Sequence, residues 1–221
     1  MTYKTSGIVG TFNLANAQEI HDGITWYNNA YDIAYSISSE TGLPAIVVCG
    51  VLAAISPNNK WPKNCANAEA MCAVFAAGGD PMSVKISCYN AMKQKATDIL
   101  TMQKHAEEWH HHAMGDCDVT YDQIMAILNG RKIQCFFACI YGHDTNKDIV
   151  CIDGHARNIV YKERLSLHDS KLTIGVKEYR NLTGCYIAAT KRINKENSTS
   201  YLPYQIQAIT WCTWRRLHGI K

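Results

Sequence analysis

The sequence predicts an all-α protein, and three observations carry that expectation. Apolar residues recur at i, i+3, i+4 and i+7, the spacing of one helical face, most clearly at Ile133, Phe136, Phe137 and Ile140. Segments with that spacing are separated by Gly, Pro and Asn punctuation, at Gly42-Leu43-Pro44, Ser56-Pro57-Asn58-Asn59, Gly78-Gly79-Asp80-Pro81 and Asn129-Gly130. One segment, 45–55, is apolar on nearly every side, as the central core helix of a globular protein is. The 221 residues allow one large domain or two small ones, and 47% hydrophobic residues are ample for a buried core. The chain has no internal repeat and no low-complexity tract.

Taken in order, residues 15–40 form one or two amphipathic helices with an apolar stripe of Ile20, Ile24, Tyr27, Tyr31, Ala34 and Tyr35. The core helix 45–55 must turn at its end, because Pro57 disfavours a helical Ser56. A helix over 62–77 and a loop over 78–81 lead to a helix over 89–102, whose Lys93 and Lys95 face partly outward. Then come His105, Trp109, the run His110-His111-His112, and Asp116, Cys117 and Asp118. Adjacent helical side chains diverge by about 100°, so at most two of the four histidines can share an ion. The stretch reads as a linker between helices, and no metal site is expected.

Helix 121–128 carries Ile124, Ile127 and Leu128, and Asn129-Gly130 ends it because that dipeptide favours φ > 0. The next helix opens with Arg131 and Lys132 and stops at Gly142. Two cations in a first turn oppose the helix dipole, so stability alone would not choose them; a polyanion at the hairpin, or a lysine needed for chemistry, accounts for the placement. A short apolar run, 149–152, delivers Asp153 to the start of a third helix, where a carboxylate caps free N–H groups. Beyond a loop at 166–170, a helix over 175–193 gathers Lys191, Arg192 and Lys195 near its end, where cations suit the dipole. A polar linker, 194–200, precedes a last helix opened by Pro203, with Ile206, Ile209, Trp211, Trp214 and Leu217; two tryptophans three apart read as packing rather than ligand stacking.

Net charge is +3 with a sequence pI near 8.3, mildly basic and well short of a histone-like binder. The arrangement says more: Lys60, Lys63, Lys93, Lys95, Arg131 and Lys132 sit at loops or helix starts, where a phosphate backbone can meet several at once. Of the ten cysteines, Cys49, Cys65, Cys72, Cys88, Cys135 and Cys139 fall in apolar helical patterns, where thiols act as small core residues, and no C-x-x-C pair occurs. A reducing compartment fits that usage. No stretch approaches the roughly 18 apolar residues of a membrane helix, and MTYKTSGIVGTF lacks the cationic and apolar regions of a signal peptide. The expected location is cytoplasmic, with no membrane partner.

Three stretches carry a resemblance. LNGRKIQCFFACIYG followed by VCIDGHAR resembles the helix-hairpin-helix DNA glycosylases of the endonuclease III type, whose pattern runs L-P-G-V-G-R-K, an apolar helix ending in Gly, then V-D-T-H. IVVCGVLAAISPNNKWPKNCANAEAMCAVF is similar to that family's early helix, wedge loop and following helix, and SCYNAMKQKATDIL is similar to its L-Y-N-S-K-A-x-x-I-I segment. The three match in order across residues 43–165.

The resemblance implies a single glycosylase-like unit in which two helical subdomains flank a cleft. The central one is 43–145, containing the hairpin 121–142; the other joins 1–42 to 146–221. It implies Lys132 as the amine that attacks the sugar C1′ and Asp153 as the assisting carboxylate. It further implies DNA contacts from Asn58, Asn59, Lys60 and Trp61 in the wedge loop and from Asn129, Gly130 and Arg131 in the hairpin. His155, Asn64 and Tyr89 become pocket residues. The implied partner is double-stranded DNA with one base flipped out, and no cofactor is called for.

The departures are specific. The hairpin is two residues shorter, V-D-T-H has become Ile152-Asp153-Gly154-His155, and the family's following arginine is shifted to the neighbourhood of Arg157 and Asn158. Only Cys185 and Cys212 follow Cys151, so the four-cysteine iron–sulfur loop of many relatives is not expected. These departures resemble divergent members found in bacteriophages, including proteins linked to thymine hypermodification.

Breaking an N-glycosidic bond makes the sugar oxocarbenium-like, and a nearby carboxylate stabilises that cation or aligns the nucleophile. Asp153 has the right charge; Lys132 can instead attack C1′ and form a Schiff base. Each residue also has a plainer explanation. Asp153 suffices as a helix N-cap, Lys132 as an exposed lysine, Asn58-Asn59 as a turn, Trp61 as packing under the helix that follows it, Lys93 and Lys95 as a solvated face, and His155 as packing. Three functions stand open: a DNA glycosylase with or without lyase activity, a base-hypermodifying enzyme in which an amine displaces pyrophosphate from an activated 5-hydroxymethylpyrimidine, and a non-catalytic DNA-binding module. Presence of both Lys132 and Asp153 argues against the third.

Overall fold

The punctuation translates directly into structure. In a computed structural model, which describes residues 3–113 (backbone alone over 106–113), 119–142, 148–166, 169–170 and 173–220, every regular element among the described residues is helical. They are α1 (Ser6–Phe12), α2 (Ala17–Thr41), α3 (Ala45–Ala54), α4 (Trp61–Ala76), α5 (Asn90–Ala113), α6 (Tyr121–Leu128), α7 (Arg131–Tyr141), α8 (Gly154–Tyr161), α9 (Val176–Asn197) and α10 (Pro203–Leu217), with a 3-10 turn at Pro81–Ser83. The helices sort into two compact units: Met1–Asn28 with Gly142–Lys221, and Asn29–Tyr141. The first boundary falls inside α2 instead of at the loop 42–44, because α2 runs unbroken through it and the residues before Asn28 pack on α10.

The Asn29–Tyr141 unit is built around α3. Residues 47–55 are all buried, and α4, α5, α6 and α7 pack against α3 from all sides. Gly50 permits the closeness: a Cβ there would lie 3.0 Å from Ile124 and 3.2 Å from Ile99. Val47, Leu52, Ile55, Ile99, Leu100, Ile124, Leu128, Phe137 and Ile140 are wholly buried, each contributing about 1.5–3 kcal/mol of apolar burial. α6 starts on a capping box: Thr120 Oγ1 accepts the Gln123 N–H at 3.4 Å, and Gln123 Oε1 accepts the Thr120 N–H at 2.8 Å.

In the other unit α10 is the central element, packed by α1, α8 and α9. Gly23 lets α2 approach it, since a Cβ would fall 2.4 Å from the Ile209 side chain and 2.5 Å from its backbone. One turn on, Tyr27 Oη donates to Gln207 Oε1 at 3.1 Å and its ring meets Tyr204 edge-on at 5.4 Å. Glu19, buried, accepts from Arg216 Nε at 2.5 Å and from Thr213 Oγ1 at 3.3 Å. The Arg216 hydrogen bond holds the Glu19 carboxyl below its ordinary pKa.

Several expectations are corrected. α1 was not foreseen: seven residues of SGIVGTF carry too few apolar positions to show a period. The histidine run is not a linker, since α5 continues as helix through Ala113. The side chains of Trp109 and the three histidines, and all of Asp116, Cys117 and Asp118, lie outside the described residues. Tyr35, placed on the apolar stripe of the helix, is 60% exposed, and Cys88 lies in the loop before α5. Lys93 and Lys95 are not simply solvated. Lys93 Nζ donates to the Met82 carbonyl at 2.6 Å and Lys95 Nζ to the Leu128 carbonyl. Of the six thiols assigned to the core, Cys49, Cys72 and Cys139 are buried, whereas Cys65, Cys88 and Cys135 are only partly so; burial pushes Cys65 up to about 11. No single described helix is long and apolar enough to cross a membrane.

Candidate functional site

The α6–α7 hairpin is shaped by a single left-handed residue. Asn129 caps α6 at φ 39°, ψ 52°, its N–H donating to the Met125 carbonyl at 3.3 Å. Asparagine tolerates that region, so Gly130 is free to serve as the close approach to Ile133, 3.3 Å from where a Cβ would sit. Two side chains close the carbonyl end of α6: Lys95 reaches the Leu128 carbonyl and, at 3.5 Å, that of Asn129, while Gln134 Nε2 donates to the Met125 carbonyl at 2.8 Å. Burial lowers the Lys95 pKa. With its carbonyls engaged, the hairpin presents outward the first turn of α7, where Arg131 and Lys132 are both exposed. First-turn N–H groups and two cations make a surface suited to an anion.

The loop after α3 is also preorganised. Asn58 is left-handed, φ 58°, and its Nδ2 donates to Tyr89 Oη at 3.2 Å. Asn59 Nδ2 donates to Asn64 Oδ1 at 3.4 Å, and Asn64, 1% exposed, donates to the Leu52 carbonyl at 2.9 Å. Asn64 therefore serves the end of α3 rather than an open pocket. Lys60, at the N-cap position of α4, is exposed. Trp61 is half-buried and meets Phe136 edge-on, centroids 6.1 Å apart, which is the packing role. The aromatic surface of this region is Tyr89, 64% exposed, tethered by its hydroxyl and offering its ring.

Asp153 belongs to the other unit. It is the N-cap of α8, extended at φ −115°, with Oδ1 accepting the Ala156 N–H at 2.8 Å and the residue half-buried. One carboxylate oxygen is committed to the cap by this bond. The segment before it is gripped by Tyr179 of α9, 5% exposed, whose hydroxyl accepts the Ile152 N–H and donates to the Val150 carbonyl, each at 3.0 Å. Tyr186, wholly buried on the same helix, lies in the field of the Asp153 carboxylate, and burial raises its hydroxyl's pKa.

His155 is half-buried, and its Nδ1 is buried with no hydrogen-bond partner. His218 lies near enough for their charges to interact; its pKa is lowered by burial first, then by Arg164 and His155. Arg157, which stands near the family arginine, is committed to structure: Nε to Glu178 at 3.0 Å, a second nitrogen to Glu163 at 2.9 Å, and its plane 4.6 Å from the Tyr161 ring centroid. Among the described residues, no three His, Cys, Asp or Glu side chains come together as a metal site.

The predicted site residues thus form three local groups. Asn129, Gly130, Arg131 and Lys132 share the hairpin; Asn58, Asn59, Lys60, Asn64 and Tyr89 share the α3–α4 loop and its neighbour; Asp153 and His155 share the start of α8. Tyr179 was missed, because a tyrosine 26 residues beyond Asp153 shows nothing in sequence of the backbone it holds. The Thr120-x-x-Gln123 capping box was also missed, although its signature is present in the sequence. No curated protein and no solved structure matches the chain. A family model matches it over residues 2–218, and the chain belongs to that family, DUF7178, a family of unknown function.

Proposed function

We propose that the chain is a DNA-base enzyme of the glycosylase type, in which the α6–α7 hairpin holds the phosphate backbone and Asp153 serves the reacting nucleotide. The observation that carries the reading is the hairpin. Its carbonyl end is closed internally by Lys95 and Gln134, and its amide end is left with exposed Arg131 and Lys132, a polarity that suits a phosphate. Asp153, anchored by the Ala156 N–H and the Tyr179 grip, supports a fixed negative charge for a cationic sugar. In that step the C1′–N bond breaks, its electron pair leaves with the base, and the base takes up a proton. Water or the Lys132 amine supplies the new bond to C1′ and loses a proton.

One observation favours a second reading, base hypermodification. Lys132 is exposed, the setting of a phosphate contact, whereas Schiff-base lysines draw on a desolvated pocket. There an amine displaces pyrophosphate from an activated 5-hydroxymethylpyrimidine: the new C–N bond forms, the C–O bond breaks, pyrophosphate leaves, and Asp153 receives the amine's proton. The test is incubation with duplexes carrying uracil, oxidised or 5-substituted pyrimidines, followed by borohydride. A trapped adduct that Lys132→Ala abolishes supports the glycosylase with lyase activity. Loss of pyrophosphate with gain of the amine on a pyrophosphorylated hydroxymethyl base supplied together with an amine, without adduct or abasic site, supports the second. Abasic sites without an adduct support a glycosylase that uses water, and no adduct, no abasic site and no amine product with any substrate defeats both.

A further inference from the structure

At the far end of α8 from Asp153 lies an open groove of about 420 Å³, lined by Tyr3, Lys4, Thr5, Ser6, Tyr161 and Lys162. Its floor is the Tyr161 ring, with Arg157 at 4.6 Å from the centroid and Lys4 Nζ at 5.1 Å. Arg157 is neutralised by Glu163 and Glu178, whereas Lys4 and Lys162, both exposed, leave the groove a cationic rim flanked by the Thr5 and Ser6 hydroxyls. Lys162 is a second anomaly. It holds the left-handed conformation, φ 56°, at the C-cap of α8, where glycine or asparagine is the residue stability selects. Lys162 lines the groove and is exposed, so its charge is available to a ligand there.

We propose that this groove binds backbone phosphate of a nucleic-acid strand, through Lys4 and Lys162 over the Tyr161 ring. The proposal rests on the DNA reading above and adds a contact that none of its motifs supplies. The spacing suits a strand. The eight residues of α8 separate groove from Asp153 by about 12 Å, or three to four nucleotide steps at about 3.4 Å of rise each.

The test is fluorescence anisotropy of the full chain on a labelled duplex across a salt series, with inorganic triphosphate as competitor, for wild type, Lys162→Gly and Lys4→Ala/Lys162→Gly. Glycine relieves the left-handed backbone, so Lys162→Gly should melt at or above the wild-type midpoint. Even so, it should bind more weakly, and the double variant should lose about five- to tenfold at low salt, its salt slope shallower by about 2, one per lysine. Wild-type affinity and slope in the double variant would overturn the groove alone. A wild-type chain that binds no duplex would overturn the groove and the DNA reading together. Displacement of the groove-dependent binding by micromolar triphosphate would replace the strand with a discrete phosphate ligand.

Discussion

Tyr179 fixes Ile152: its hydroxyl accepts the Ile152 N–H while donating to the Val150 carbonyl, both at 3.0 Å, and so holds the backbone that delivers Asp153. Removing that hydroxyl strands two buried backbone groups, each costing about 1–3 kcal/mol. Tyr179→Phe should therefore lower the unfolding free energy by at least about 1 kcal/mol in denaturant titration. It should also slow turnover without changing duplex affinity, which the proposal assigns to the hairpin and the groove. Unchanged stability and turnover would show that the grip does not matter.

Tyr89 and Trp61 should separate function from packing. Tyr89 projects an exposed ring, so Tyr89→Ala should shift stability by less than about 0.5 kcal/mol yet weaken binding to a gapped or mismatched duplex by about 1–3 kcal/mol, the worth of one base–aromatic stack. Trp61→Ala should do the reverse, costing about 2–3 kcal/mol of folding through its lost contact with Phe136. If Trp61→Ala folds normally and loses binding, the assignments are exchanged.

Lys95 ties α5 to the end of α6. Lys95→Met keeps the stem and removes the donor to the Leu128 and Asn129 carbonyls. Because the ammonium is only half-buried and water can replace it, the global cost should be about 1 kcal/mol. The local effect should be larger in hydrogen exchange, with faster exchange at the 128–132 amides and weaker duplex binding. Unaltered exchange there would leave the hairpin independent of Lys95.

The Glu19–Arg216 pair gives a pH signature. The folded carboxyl titrates below its ordinary value of 4.5, so its stabilising contribution is present above that pH and is lost as the pH falls through the folded value. Glu19→Gln should thus be less stable than wild type at pH 7, and the gap should close on acidification below 4.5. A gap that persists undiminished in acid would mean that packing, not charge, explains it.

The parts of the fold legible in sequence are those set by local rules. α3 announced itself by uniform apolarity, and the α6–α7 hairpin by Asn129-Gly130 between two amphipathic turns. α10 did so by Pro203. What escaped is what only tertiary contact decides. The polar histidine stretch extends α5 although no apolar period marks it, and α1 is too short to show one. Cationic lysines read as solvated, yet Lys93 and Lys95 find carbonyls from distant segments. Asp153 was correctly read as a cap, whereas the exposure of Tyr89 and the half-burial of Trp61 depend on which neighbours the loops bring up, which residue type alone does not decide.

Asp153 carries the central claim, and Asp153→Asn isolates it. The asparagine carbonyl oxygen can still accept the Ala156 N–H, so the cap and the fold should survive with a loss under about 1 kcal/mol. Turnover of the modified duplex should fall at least about a hundredfold while duplex affinity holds. A folded Asp153→Asn chain that processes its substrate at the wild-type rate would contradict the account.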